Sequence, residues 1–294
     1  MENVLEYYYN LKNVIVENNE DYYIVSSDNN KYIFQEFNYD IDELKNVVDI
    51  LNDTKILYHL IVYTKDNEIV ISFNSKNYVL LKIRLFDNEN ISLFDFQSIK
   101  VDGKSSWGDL WSKRIDYYEM QVNEVIKNDS LKYAIQYYIG MTENAIAFLN
   151  DLDDNFDNSK LFYTICHRMI DVPLNSLTFY NPLNLMIDFG VRDIAEYIKM
   201  CFFNEILTNF ELLDLINNIN FDNVSANYFF ARLLYPSYFF YLYDKFIEDG
   251  EIDDRIFLII KKSSEFELLV KSIYDRLSIK NEILYNGWLI KSQH

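Results

Sequence analysis

Through its first hundred residues the chain alternates short apolar runs with polar turns. Runs at residues 13–17, 21–26, 31–37, 58–65, 68–74 and 78–85 are rich in Val, Ile, Tyr and Phe, and Asn- and Asp-rich stretches such as SDNN and KDNE separate them. β-branched and aromatic side chains between such turns fit a half-buried pleated surface, so these runs predict an antiparallel sheet with hairpin connections. One helix interrupts it at residues 42–51, where Leu44, Val47, Val48 and Leu51 recur at helical spacing.

After Gly103 the pattern lengthens to helical periods. Ser106, Trp107, Gly108 and Asp109 have the form of a capping box, and Trp107, Leu110, Trp111, Ile115, Tyr118, Val122 and Val125 then mark one face. A second helix at 131–150 carries Ala134, Ile135, Tyr138, Ile139, Ala145, Ile146 and Leu149 on its apolar side. An acidic loop at 151–159 follows. Short apolar strands at 161–169 and 184–188 then flank a proline-containing loop. From Arg192 the chain is helical again, with Ile194, Tyr197, Ile198, Cys201 and Phe202 as a core face. Further helices are expected at 204–217, 227–234, 237–248, 253–262 and 265–276. The fold class is α+β. A sheet-rich N-terminal lobe with one helix covers 1–103, and a larger helical lobe covers 104–294.

Hydrophobic residues make up 50% of the 294, ample for a buried core. The 46 acidic against 27 basic residues give a formal charge of -19, which repels nucleic-acid phosphates and anionic lipid. Neither is expected as a main partner, which leaves proteins. The two cysteines, Cys166 and Cys201, form no disulfide or zinc pattern, so a reducing, cytoplasmic setting is the simplest. The N-terminal segment lacks the basic region and apolar core of a signal peptide, and secretion by that route is not expected. The most apolar stretch, 228–243, contains Arg232 and Pro236, so no membrane span is expected. The abundance of Tyr (25) and Phe (22) is read as packing area.

A strand-rich part, a helical part, a His-containing loop and an apolar strand ending in Asp188-Phe189-Gly190 stand in the order used by kinase-like phosphotransferases. Five stretches carry a narrower resemblance: Tyr137-Tyr138-Ile139-Gly140 with Glu143-Asn144-Ala145-Ile146, Cys166-His167-Arg168, Asn181-Pro182, Arg192-Asp193-Ile194-Ala195-Glu196-Tyr197-Ile198, and Arg232-Leu233-Leu234-Tyr235-Pro236. In these the chain resembles the spore coat proteins of the CotS and YutH type, distant relatives of aminoglycoside and choline kinases. The resemblance implies a bilobal protein-kinase-like fold in a low-GC bacterium. It also implies a role in the spore coat, with other coat proteins as partners. It implies no substrate.

Phosphoryl transfer needs backbone amides around the phosphates, a cation on them, metal-binding carboxylates and a group near the nucleophile. No glycine precedes Gly103, so the connection between the first two strands, residues 18–21, cannot form a glycine-rich phosphate loop. Gln35 falls where the third strand would offer its lysine, and Glu43 is the candidate helix glutamate. In the loop from His167 to Asn175, Met169 occupies the position of the catalytic aspartate. His167 reads better as a hydrogen-bonding post than as an acid or base. Asp188 has two readings: a magnesium ligand together with Asn175 or Asp171, or a structural carboxylate paired with Arg192. Arg192 and Asp193 also read as a structural pair. The expectation is a catalytically degenerate kinase-like protein needing no cofactor. The rival is an atypical phosphotransferase using Mg and ATP, with Asp171 as base.

Overall fold

The computed structural model describes the chain apart from residue 20 and segments 85–90, 104–105, 123–127, 157–160 and 288–294. Leu85, Val125 and the end of the acidic loop, for which the sequence makes expectations, lie outside the described residues. The chain forms two compact units, one of residues Met1–Ile99 and Ile165–Ile187, the other of Lys100–Thr164 and Asp188–His294.

Among the described residues the first unit holds six antiparallel strands, one for each apolar run: β1 Ile15–Asn18, β2 Tyr23–Ser27, β3 Asn30–Glu36, β4 Leu60–Val62, β5 Val70–Phe73 and β6 Lys76–Lys82. They run in the order β1-β2-β3-β6-β4, with β5 also paired to β6. Helix α1, Glu2–Tyr9, precedes them and buries Leu5 and Tyr9 against Val25, Phe34 and Leu80. Helix α2, Ile41–Asn52, begins at Asp40, whose carboxylate accepts from the Asp42 amide at 2.8 Å. Its residues Leu44, Val47 and Leu51 are buried, as their spacing predicts.

Strands β7 Tyr163–His167 and β8 Leu185–Phe189 pair with each other, and the division between the units falls inside both. Between them lie the short helix α5, Ser176–Phe179, and a 3-10 turn at Pro182–Asn184. The sequence boundary at 103 assigns this whole segment to the helical part. Its packing differs: Ile165, Phe179 and Leu185 share a core with Val47 and Leu51 of α2 and with Phe96. That apolar burial places residues 165–187 with the sheet.

The second unit is built from α3 Trp107–Val122, α4 Asp129–Asn155, α6 Arg192–Phe203, α7 Asn209–Asn218, α8 Asn223–Leu234, α9 Ser237–Asp249 and α10 Arg255–Lys280. Every residue of α8 from Val224 to Leu234 is buried, which makes it the central helix of the unit. Helix α7 starts at a complete capping box between Thr208 and Glu211, later than the apolar pattern suggests. α10 is one helix where the pattern predicts two, because Ser263 returns its hydroxyl to the Ile260 carbonyl at 2.9 Å instead of breaking the turn. Among the described residues no helix is long and apolar enough to cross a membrane.

Candidate functional site

The candidate residues of the first unit are Gln35, Glu43, Asp171 and Asn175, and each has a local structural partner or place. Gln35 lies in mid-β3 opposite Val79 of β6, and its Oε1 accepts from Asn181 Nδ2 at 2.7 Å. An amide at this position brings no positive charge. Glu43, in the first turn of α2, accepts from Arg168 Nη2 at 2.7 Å, and the Arg168 guanidinium lies 3.9 Å over the Tyr39 ring. The glutamate thus orients an arginine of the His-containing loop, and Gln35 is held by another partner.

The rest of the loop is pinned by hydrogen bonds that involve backbone groups. His167 is buried between Phe96 and Phe179, and its Nε2 donates to the Phe179 carbonyl at 3.0 Å, which is the post-like role expected of it. The backbone of Met169 is clamped from both sides by Asn184, whose Oδ1 accepts from Met169 N at 3.1 Å while its Nδ2 donates to Met169 O at 2.8 Å. Asn175 caps α5, with its Oδ1 accepting from Leu177 N at 2.9 Å. Asp171 is half-buried; burial first, and then the negative charge of Asp171, raise the pKa of Tyr22. His59 escaped the sequence reading. Its Nε2 donates to Ser176 O at 3.1 Å and its Nδ1 accepts from Arg84 N at 3.3 Å. Burial pushes its pKa down to about 4, so the ring is neutral.

In the second unit all three residues of Asp188-Phe189-Gly190 serve packing or hydrogen bonding. Asp188 is 2% exposed. Trp107 Nε1 donates to both of its oxygens at 2.9 and 3.1 Å, the Phe189 amide to Oδ1 at 2.8 Å, and Arg192 Nη1 to Oδ2 at 2.9 Å. Phe189 stacks on Tyr163 at 4.7 Å and meets the edge of Trp107 at 4.9 Å. A Cβ on Gly190 would lie 2.2 Å from the Phe162 ring, so a larger residue there would have to displace that ring. Arg192 pairs with Asp188, the structural alternative for that carboxylate.

A buried ionic cluster continues from this point along α6. Glu196 Oε1 accepts from Lys199 Nζ at 2.9 Å and Arg232 Nε at 2.6 Å, while its Oε2 accepts from Ser237 Oγ at 2.6 Å. Lys199 also donates to the carbonyls of Arg232 and Tyr235 at 3.1 and 2.9 Å. Burial alone would raise the Glu196 carboxyl, but Arg232, Lys199 and Arg192 hold it far below the usual carboxylate range. The signal was present in the sequence: Glu196 and Lys199 stand at i,i+3 on a helix that also buries Ile194, Ala195 and Ile198. Two of the stretches that carry the family resemblance, 192–198 and 232–236, are therefore the two sides of one buried network.

Magnesium needs oxygen ligands with lone pairs to spare. The oxygens of Asp188 already face donors from Trp107, Phe189 and Arg192, and Asn175 spends its oxygen on a helix cap. Among the described residues no group of three or more His, Cys, Asp or Glu side chains is gathered in one place.

An antiparallel sheet with one long helix, followed by a helical unit entered through a strand ending in Asp-Phe-Gly, defines the aminoglycoside and choline kinase-like class. Solved structures agree on the fold. An aminoglycoside phosphotransferase from Alicyclobacillus acidocaldarius superposes with a TM-score of 0.59 at 10% identity, covering 94% of this chain and 95% of that one. The choline kinase LicA from Streptococcus pneumoniae gives 0.52 at 12% identity, covering 89% and 94%. Within that class the chain belongs to the family described as "Spore coat putative kinase YutH", whose profile matches residues 2–272. It is 23% identical to the endospore coat-associated protein YutH of Bacillus subtilis (strain 168), with 76% of each chain covered.

Proposed function

We propose that this chain is a catalytically degenerate kinase-like protein that acts by binding other proteins, as a component associated with the spore coat. The observation that carries this reading is the buried carboxylate of Asp188, whose two oxygens accept from the Trp107 indole and which is bridged to Arg192. A metal-bound nucleotide would have to displace these donors. Gln35, the Glu43–Arg168 pair and a β1–β2 connection without glycine support the same reading. The name of the Bacillus subtilis relative supports the coat association.

Thermal unfolding with and without millimolar Mg-ATP tests the proposal. A ligand at a hundred times its Kd stabilises by about 2.7 kcal/mol, a shift readily measured. No shift is expected. A shift that disappears in Asp188→Asn would sink the degenerate reading and establish nucleotide binding, the first requirement of a small-molecule phosphotransferase.

A further inference from the structure

Helices α4 and α10 leave between them an open cavity of about 200 Å³. Three tyrosines of α4, Tyr133, Tyr137 and Tyr138, line it, together with Ala134 and with Ile260 of α10. Two of the rings are fixed by packing. Tyr138 stacks on Phe239 at 4.1 Å, and Tyr137 meets Tyr138 edge-on at 4.9 Å. Tyr133 is 73% exposed, and among the described residues its ring meets no other ring and no cation.

The charge beside the cavity is negative. Tyr137 donates its hydroxyl to the Glu267 carboxylate, and among the described residues no cation pairs with that carboxylate. Burial first, and then the Glu267 hydrogen bond and charge, raise the pKa of Tyr137; burial first, and in part the same charge, raise that of Tyr138. The basic side chains of the two helices are committed elsewhere. Lys262 pairs with Glu205 at 2.5 Å, and its hydrogen bond first, then its charge and that of Lys261, lower the Glu205 pKa. Lys271 pairs with Asp275 at 3.0 Å. Lys132 is two residues from Ala134, about 200° round the helix. Ring faces beside a carboxylate without a counter-charge attract a cation, and the apolar walls suit a methylene stem.

We propose that this cavity takes a lysine side chain from a basic segment of a partner protein, its stem against Ala134 and Ile260 and its ammonium over the rings of Tyr133 and Tyr137. One cation over an exposed ring gains only about two- to fivefold in affinity, too little to hold a free ammonium ion. A basic segment adds the attraction of a chain whose formal charge is -19. That the partner is a protein rests on the binding role proposed above. The Mg-ATP measurement tests that role, and a peptide titration tests the cavity.

Isothermal titration of the full chain with N-acetyl-tetralysine amide, at about 0.15 M salt, should show binding. Tyr133→Leu should weaken it about two- to tenfold, and so should Glu267→Gln, which keeps an acceptor for Tyr137. Tyr133→Phe should bind as the unaltered chain does, because a phenyl face also attracts a cation. Tyr117→Leu, which removes a 52% exposed ring from α3, should change nothing. The peptide with its side-chain amines acetylated should not bind. No binding of tetralysine at millimolar concentration would overturn the proposal, as would a Tyr133→Leu variant of undiminished affinity or an equal loss in Tyr117→Leu. Displacement of the peptide by an equal concentration of tetramethylammonium would overturn it too, and would assign the cavity to a small organic cation.

Discussion

Around the candidate loop of the sheet unit, the polar side chains of His59, His167, Asn181 and Asn184 meet backbone groups or an amide. In the helical unit, Asp188, Glu196, Lys199 and Arg232 are buried, and with the half-buried Arg192 they are joined in ion pairs. Phosphoryl transfer asks for charge directed at a ligand. The sheet unit has Gln35 and Met169 where the sequence pattern would place a lysine and an aspartate, and the helical unit directs its charges at one another. The half-buried Glu43–Arg168 pair is an ionic exception in the sheet unit, and there too the partner is another side chain.

The largest contrast is expected on deleting one member of the ionic cluster. Glu196→Ala leaves Lys199 and Arg232 buried without their counter-charge and should cost about 3–5 kcal/mol in chemical denaturation. The neutral side should respond to acid next. His59 binds its proton near pH 6.5 in the unfolded chain but only at about 4 when folded, so the unfolded state holds the extra proton between those values. Stability should therefore fall as pH drops through that window, by up to about 3 kcal/mol, and His59→Gln should flatten the slope. Asn184→Ala should have the smallest effect, about 1–3 kcal/mol by the same assay, because the groups it leaves unpaired carry no formal charge. If Asn184→Ala cost as much as Glu196→Ala, the distinction between the two units would have no energetic meaning.

What could be read in the sequence was local. Each of the six strands lies within or close to a run of β-branched and aromatic residues bounded by Asn and Asp, and α2 follows its period. The Asp188–Arg192 pair is only four residues apart along the chain, and it too was legible. Helix α1 has only eight residues and buries only Leu5 and Tyr9, too short a repeat to stand out in the sequence. The serines at 263 and 264 resembled a helix end. The contacts that give the site its character are separated along the chain: Trp107 meets Asp188 across 81 residues and Gln35 meets Asn181 across 146. No periodicity reports such a meeting, because it depends on which surfaces the core brings together.

The indole over Asp188 also makes the protein its own optical probe. The sequence contains three tryptophans, and two of them, Trp107 and Trp111, stack with ring centres 5.5 Å apart. Trp111 in turn lies flat on Tyr235 at 4.4 Å. Rings this close couple their electronic transitions, so near-ultraviolet circular dichroism should carry a signal from this one place. Any ligand, partner or substitution that draws the Asp188 carboxylate away from Trp107 would be visible in that band without a label.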